Sequence, residues 1–98
     1  MEKKKIYLFC SAGMSTSLLV QKMEKASNGS VEIHAFPVSD ISKKGAEANV
    51  ILLGPQVKYM EHKVQEEFPD INVNVIPLRD YGMLDGKKVF EDALELMK

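Results

Sequence analysis

The residues best placed to do chemistry are the single cysteine of the chain and the polar residues that follow it. Cys10 comes directly after the apolar run Ile6–Phe9, and segment 11–17 contains Gly13 and four hydroxyl side chains. A nucleophile at the end of a strand, followed by a loop that opens a helix, is an arrangement in which backbone N–H groups point at an anion. The helix start is also expected to lower the pKa of the thiol. The pattern therefore favours a reactive cysteine over a buried apolar one.

The remaining side chains limit what this cysteine can do. His34 and His62 fall within a predicted strand and a predicted helix, away from Cys10. A metal site needs clustered ligands and a cysteine protease needs a neighbouring histidine, so neither is predicted. A thioredoxin-type motif needs a second cysteine, which the sequence lacks. Phosphoryl chemistry without a metal or cofactor fits best, because the N–H groups of seven successive residues can surround a phosphate-sized anion.

The segment after Cys10 also resembles the loop of the low-molecular-weight protein tyrosine phosphatases, which is a cysteine, five residues and an arginine. Here the arginine position is Thr16. A guanidinium clamps a transferring phosphoryl group bidentately, and a threonine hydroxyl does not. The substitution counts against hydrolysis, but it leaves a phosphatase-like domain that only binds anions as an alternative.

Short apolar segments predict the elements that position this loop. The first helix is expected to bury Leu18, Leu19, Met23 and Ala26. Residues 78–82 are predicted to be a loop. Strands are predicted at about residues 5–9, 31–36, 50–53 and 72–76, and helices at about 14–26, 39–44, 55–68 and from Val89 to the C-terminus.

The alternation of strands and helices predicts an α/β three-layer sandwich with a four-stranded parallel sheet. Segments 5–9 and 50–53 are apolar throughout and belong at the centre, whereas 31–36 and 72–76 alternate and belong at the edges. Right-handed crossovers then give strand order 2-1-3-4, which is flavodoxin-like and similar to the low-molecular-weight tyrosine phosphatases. Ligands of such sheets bind where the winding reverses, between strands one and three. Cys10 and Gly54-Pro55 are predicted to meet there.

Length and composition limit the function further. The 98 residues are predicted to form one domain, 1–98, and a net charge of −1 gives no reason to expect nucleic acid. No apolar run approaches the ~20 residues of a membrane span, so no insertion into a membrane is expected. One cysteine excludes an internal disulfide framework. A cytoplasmic location is therefore expected.

Four segments of the sequence resemble a known family. They are Phe9–Ser17, Ala35–Pro37, Leu52–Val57 and Tyr81-Gly82, the last with Asp85-Gly86 shortly after it. Together they are similar to the IIB components of the lactose/cellobiose-type bacterial phosphoenolpyruvate-dependent sugar phosphotransferase system. The resemblance extends along nearly the whole chain.

This resemblance implies a phosphoryl carrier. Cys10 would accept a phosphoryl group from a phosphohistidine of a IIA protein and pass it to a sugar imported by the membrane-embedded IIC permease. Cellobiose, chitobiose and lactose belong to the sugar class that it implies. The phosphate cradle would consist of Ser11, Ala12, Gly13, Met14, Ser15, Thr16 and Ser17.

Residues outside the loop are candidates for the rim of the site. Gly54, Pro55 and Gln56 either line it or form an ordinary strand-to-helix turn. Tyr81 and Asp85 are further candidates for the rim, but Asp85-Gly86 is preferred as a turn in which Asp85 serves as a helix N-cap.

Overall fold

The computed structural model describes residues 3–11 and 14–97, which form four strands and five α-helices. The strands are β1 (Lys5–Cys10), β2 (Glu32–Pro37), β3 (Val50–Leu53) and β4 (Asn72–Val75). The helices are α1 (Met14–Ser27), α2 (Ile41–Lys44), α3 (Glu61–Glu67), α4 (Leu78–Gly82) and α5 (Gly86–Leu96). Three 3₁₀ segments, Val38–Asp40, Gly45–Glu47 and Pro55–Met60, adjoin α2 and α3.

The four strands form one parallel sheet in the order β2-β1-β3-β4, which confirms the predicted topology. The apolar strands β1 and β3 are central and the alternating strands are at the edges. Phe9 is in register with Phe36 on one side and Leu53 on the other, and Cys10 pairs with Pro37. The carboxyl ends of β1, β2 and β3 therefore lie side by side.

The sheet separates two hydrophobic cores. One core packs β1 and β3 against α1, α4 and α5, and it includes Cys10 and Tyr81. The other packs the opposite face of the sheet against α2 and α3, and it includes Tyr7, Phe9 and Ile51. We call these the α5 side and the α3 side. Cys10 belongs to the core of the α5 side.

The first helix buries a different stripe from the predicted one. Leu19 and Met23 are buried as expected, but Leu18 and Ala26 are exposed. Thr16 and Ser27 take up the inner face instead. A polar side chain is buried in this way when it has a hydrogen-bond partner, which the oxygen of Glu24 provides for Ser27 at 2.9 Å.

The segment 78–82 is a one-turn helix and not the predicted loop. Pro77 precedes it with extended dihedral angles, and its oxygen accepts a hydrogen bond from the N–H of Tyr81 at 3.0 Å. Five residues give too short a pattern for helical periodicity to show in the sequence.

Among the helices of the described residues, none has the length and apolar character of a membrane span.

Candidate functional site

Cys10 is the last residue of β1, and its side chain lies at the point where the winding of the sheet reverses. It is 3% exposed. The N–H of Gly54, which follows β3, donates to the oxygen of Phe9 at 3.0 Å and so keeps the two strand ends together. The predicted meeting of Cys10 with Gly54 is therefore confirmed by the geometry.

Gly54 is required here for space and not for an unusual backbone conformation. Its φ of −63° is open to any residue. A Cβ atom at this position would lie 2.7 Å from Sγ of Cys10 and 2.7 Å from Oε1 of Gln56. The sulfur thus occupies the volume that a side chain at position 54 would take.

Two hydroxyl groups lie within hydrogen-bonding reach of the Cys10 sulfur. Oγ1 of Thr16 and the hydroxyl of Tyr81 are hydrogen-bonded to each other at 3.0 Å, and both side chains are buried. They join α1 to α4 across 65 positions of sequence. The role of Tyr81 at the rim stays a prediction: its ring is buried in the core, and its hydroxyl is hydrogen-bonded to Thr16.

Burial raises the pKa of the Cys10 thiol above its ordinary value. Hydrogen bonds with Thr16, the Gly54 N–H and Tyr81 act in the opposite direction and are the smaller effect. The expectation that the pKa of the Cys10 thiol is lowered is therefore wrong, since the sulfur is buried at the edge of the core. The raised pKa favours the protonated thiol over the thiolate.

A cleft of about 160 Å³ opens beside Cys10. Ser11, Thr16 and Ser17 of the predicted cradle line one side of it. The other side is the end of β2, contributed by Ala35, Phe36 and Pro37. This wall is not among the predicted site residues, although the predicted topology puts the end of β2 next to Cys10.

The predicted cradle is only partly covered by the described residues. Ser11 and Ser17 are exposed at the cleft, and Thr16 is buried below it. Ala12 and Gly13 lie outside the described residues, as do the side chains of Met14 and Ser15, which begin α1. Their role in binding phosphate stays a prediction.

The remaining rim candidates fall into two groups. Pro55 and Gln56 follow Gly54 and line a second cleft of about 370 Å³ at the end of β4. Asp85 is the N-cap of α5, where its Oδ1 accepts from the N–H of Lys88 at 3.2 Å. The N-cap interpretation of Asp85 is the one that the geometry supports.

Each of the two histidines lies beside a glutamate and apart from the other histidine. His34 is on the edge strand near Glu32, and His62 is on the surface near Glu66. Within residues 3–11 and 14–97, no group of three or more metal-ligating side chains is placed to hold an ion.

Comparison with known proteins assigns the chain to a class. Residues 5–92 match the family model "PTS system, Lactose/Cellobiose specific IIB subunit". The chain belongs to this family of sugar phosphotransferase system components, as the resemblance of its motifs predicted.

Individual relatives agree with this assignment over nearly all of their length. The chain is 42% identical over 99 residues to the oligo-β-mannoside-specific EIIB component of Bacillus subtilis (strain 168), covering 96% of each chain. It is 45% identical over 107 aligned positions to the galactose-specific EIIB component of Lactococcus lactis subsp. cremoris (strain MG1363), covering 99% of each. The solution structure of a cellobiose-specific IIB component from Borrelia burgdorferi superposes with a TM-score of 0.79 at 33% identity, covering 97% of this chain and 92% of that one.

Proposed function

We propose that the protein carries a phosphoryl group on Cys10, accepting it from a phosphohistidine of a IIA protein and passing it to a sugar. The observation that carries this proposal is the position of Cys10. Its sulfur is at the switch point of the sheet, beside a small cleft with hydroxyl side chains on one wall. Family membership supplies the reaction class, which is phosphoryl transfer in sugar uptake.

The first transfer forms a sulfur–phosphorus bond and breaks the nitrogen–phosphorus bond of the donor histidine. Burial keeps Cys10 protonated before the reaction. The departing imidazole nitrogen needs one proton, and the thiol gives up one as its sulfur attacks, so the protons balance between the two residues. The nearby hydroxyls of Thr16 and Tyr81 stabilise the sulfur while it carries negative charge.

The second transfer moves the phosphoryl group to a sugar hydroxyl. The oxygen–phosphorus bond forms while the sulfur–phosphorus bond breaks, and the proton lost by the hydroxyl returns the sulfur to the thiol. A raised thiol pKa favours this return to the protonated state. Ser11 to Ser17, including Ala12, Gly13, Met14 and Ser15, hold the phosphate oxygens between the two transfers.

The partners follow from the same proposal. The donor is a IIA phosphohistidine protein, and the acceptor sugar is delivered by a membrane IIC permease, so the carrier works on the cytoplasmic side of the membrane. The sugar belongs to the cellobiose, chitobiose and lactose class. Relatives at similar identity are named for oligo-β-mannoside and for galactose.

Mass spectrometry after incubation with the phosphorylated donor tests this function. Native protein is expected to gain one phosphate on Cys10 and to lose it when permease and sugar are added. The Cys10→Ser variant keeps nearly the same side-chain shape and is expected to fold, but to gain no phosphate at Cys10 and to pass none on. Transfer to sugar at the native rate by folded Cys10→Ser protein would refute the proposal.

Hydrolysis distinguishes the carrier from the phosphatase-like alternative. Thr16 stands where a phosphatase loop has an arginine, and its hydroxyl is engaged with Tyr81 in the core. Native protein is therefore expected to release negligible phosphate from an aryl phosphate. Turnover near ~10 per second that is lost in Cys10→Ser would instead identify a phosphatase.

A further inference from the structure

The one-turn helix α4 depends on contacts with α5 for its position. A helix of five residues has little stability of its own. The oxygen of Asp80 accepts from the N–H of Asp85 at 2.9 Å, just before α5 begins. Oδ2 of Asp80 lies 3.2 Å from Nζ of Lys88, one turn into α5. Asp80 therefore attaches α4 to the start of α5 through both its backbone and its side chain.

The carboxylate of Asp80 is unusual in being buried. Its side chain is 8% exposed, and Oδ2 has no aligned hydrogen-bond donor among the described residues. A buried carboxylate is costly unless a cation is close. Lys88 is that cation, and Asp92 and Asp80 raise its pKa, so it remains charged. The ion pair holds the carboxylate in one position.

The residue after Asp80 reaches the functional site. The hydroxyl of Tyr81 is 3.0 Å from Oγ1 of Thr16, and both hydroxyls face the sulfur of Cys10. Thr16 belongs to α1, which packs closely on α5 at Gly86, where a Cβ would lie 2.7 Å from the backbone nitrogen of Met23. The contact between α1 and α5 thus restrains the helix that carries Thr16, and the ion pair restrains the helix that carries Tyr81.

We propose that Asp80 and Lys88 are positioning residues, which place the Tyr81 hydroxyl against Thr16 and thereby hold the Cys10 sulfur for phosphoryl transfer. The mechanistic part of this inference rests on the proposed function. The geometric part does not, because the ion pair and the hydroxyl contacts join side chains of this chain alone. An ion pair that served stability alone would have no effect on the thiol.

The rate of alkylation of Cys10 by iodoacetamide, measured from pH 7 to pH 11, reports the ionisation of the thiol directly. Removing the Tyr81 hydroxyl in Tyr81→Phe removes a group that stabilises the thiolate, so the midpoint of the profile is expected to move to higher pH. Alkylation at pH 8 is expected to slow by about two- to tenfold, the usual value of one hydrogen bond. Lys88→Met is expected to move the midpoint in the same direction.

A double-variant cycle separates positioning from stability. In the Tyr81→Phe background, Lys88→Met is expected to cause no further shift, because the group through which it acts is already absent. Lys88→Arg keeps the charge and is expected to stay near the native midpoint. Lys87→Met removes an adjacent exposed lysine and is the matched control, with no shift expected.

Two results would overturn the inference. A native midpoint in folded Lys88→Met would make the ion pair merely structural, and additive shifts in the double variant would show an effect that bypasses Tyr81. If Lys88→Met does not fold, Asp80→Asn removes the same ion pair and is measured in its place. Alkylation needs no phosphate donor. Failure of Cys10 to be phosphorylated would therefore refute the proposed function, and the double-variant cycle could still be interpreted.

Discussion

The two sides of the sheet have similar apolar cores but carry different polar groups. On the α5 side, the core contains the sulfur of Cys10, the hydroxyls of Thr16 and Tyr81 and, at its border, the Asp80–Lys88 ion pair. On the α3 side, the hydroxyl of Tyr7 bonds to Glu47 at 3.2 Å, away from the carboxyl ends of the strands. The polar groups inside the α5 side are therefore the ones that contact Cys10 or position its contacts.

The difference follows from which way the last residue of β1 faces. Successive side chains of a strand alternate between the faces of the sheet, so Phe9 enters the α3 side and Cys10 the α5 side. α1, which follows Cys10, packs on that same side and brings Thr16. Substitutions that disturb the polar groups inside the α5 side should change thiol reactivity, whereas those in the core of the α3 side should change stability alone.

Ile51→Ala is expected to give the largest loss of stability. Ile51 is fully buried on the α3 side, and truncating such a side chain costs about 2–5 kcal/mol of unfolding free energy. The pH midpoint of Cys10 alkylation is expected to stay at the native value, measured where the variant remains folded. Ile51→Val is the graded control, at about 0.5–1.5 kcal/mol. A midpoint shift as large as that of Tyr81→Phe would show that the two sides are coupled.

Gly86→Ala is expected to have a smaller effect on stability and a clear effect on the site. The added Cβ would lie 2.5 Å from Cβ of Lys22 and 2.7 Å from the nitrogen of Met23, so α5 must move away from α1. Overpacking of this kind costs about 1–3 kcal/mol. Separation of Thr16 from Tyr81 should then move the alkylation midpoint to higher pH.

Gly82→Ala provides the control for that substitution. A Cβ at position 82 would have no heavy atom within 4 Å outside its chain neighbours and helix backbone. Both the unfolding free energy and the alkylation midpoint should remain near native. A normal midpoint in Gly86→Ala would mean that the contact of α1 with α5 does not position the hydroxyls.

Gly54→Ala is expected to reduce stability less than Ile51→Ala or Gly86→Ala, and to reduce activity most. Its methyl group would lie 2.7 Å from the sulfur, which is at the cleft and can shift into it at a cost of about 1 kcal/mol. Misplacement of a reacting atom by about 1 Å can reduce a rate by about a hundredfold. Phosphorylation of Cys10 by the donor protein should slow by about ten- to a hundredfold. A native rate would show that the sulfur position is not critical.

Most of the architecture was accessible from the sequence because it depends on strong local patterns. The apolar runs at 50–53 and before Cys10 identified the central strands, and handedness then determined the order. The helix α4 was missed because five residues carry no usable period. Leu18 was assigned to the wrong face because the buried stripe of α1 includes Thr16 and Ser27, whose polarity argues for exposure.

The site could be located from the sequence but not described. Cys10 and Gly54 were placed correctly, since topology alone brings strand ends together. The hydrogen bond between Thr16 and Tyr81 joins residues 65 positions apart, and no local pattern encodes it. The direction in which the pKa of the Cys10 thiol shifts could not be predicted either. Burial raises this pKa and a helix start lowers it, so the outcome depends on how deeply the sulfur is buried.

The smallest predicted effect is alkaline destabilisation, which compares Cys10 with Tyr7 across the sheet. Burial raises the pKa of both groups, for Cys10 above the ordinary value of 9.0 and for Tyr7 above 10.0. The unfolded chain then loses each proton at lower pH than the native one, so their stabilising contributions are present below these ordinary values and are lost as the pH rises through the native ones. The slope cannot exceed about 1.4 kcal/mol per pH unit for one proton.

Denaturant unfolding from pH 7 to pH 11 measures both contributions as differences between variants. Native protein should lose more stability than Cys10→Ser from about pH 9 upward, and more than Tyr7→Phe from about one unit higher. Lys88, whose pKa is also raised, is common to all three proteins and cancels. Equal slopes in native protein and Cys10→Ser would mean that the sulfur on the α5 side is as well solvated when folded as when unfolded, and that its burial does not control its protonation.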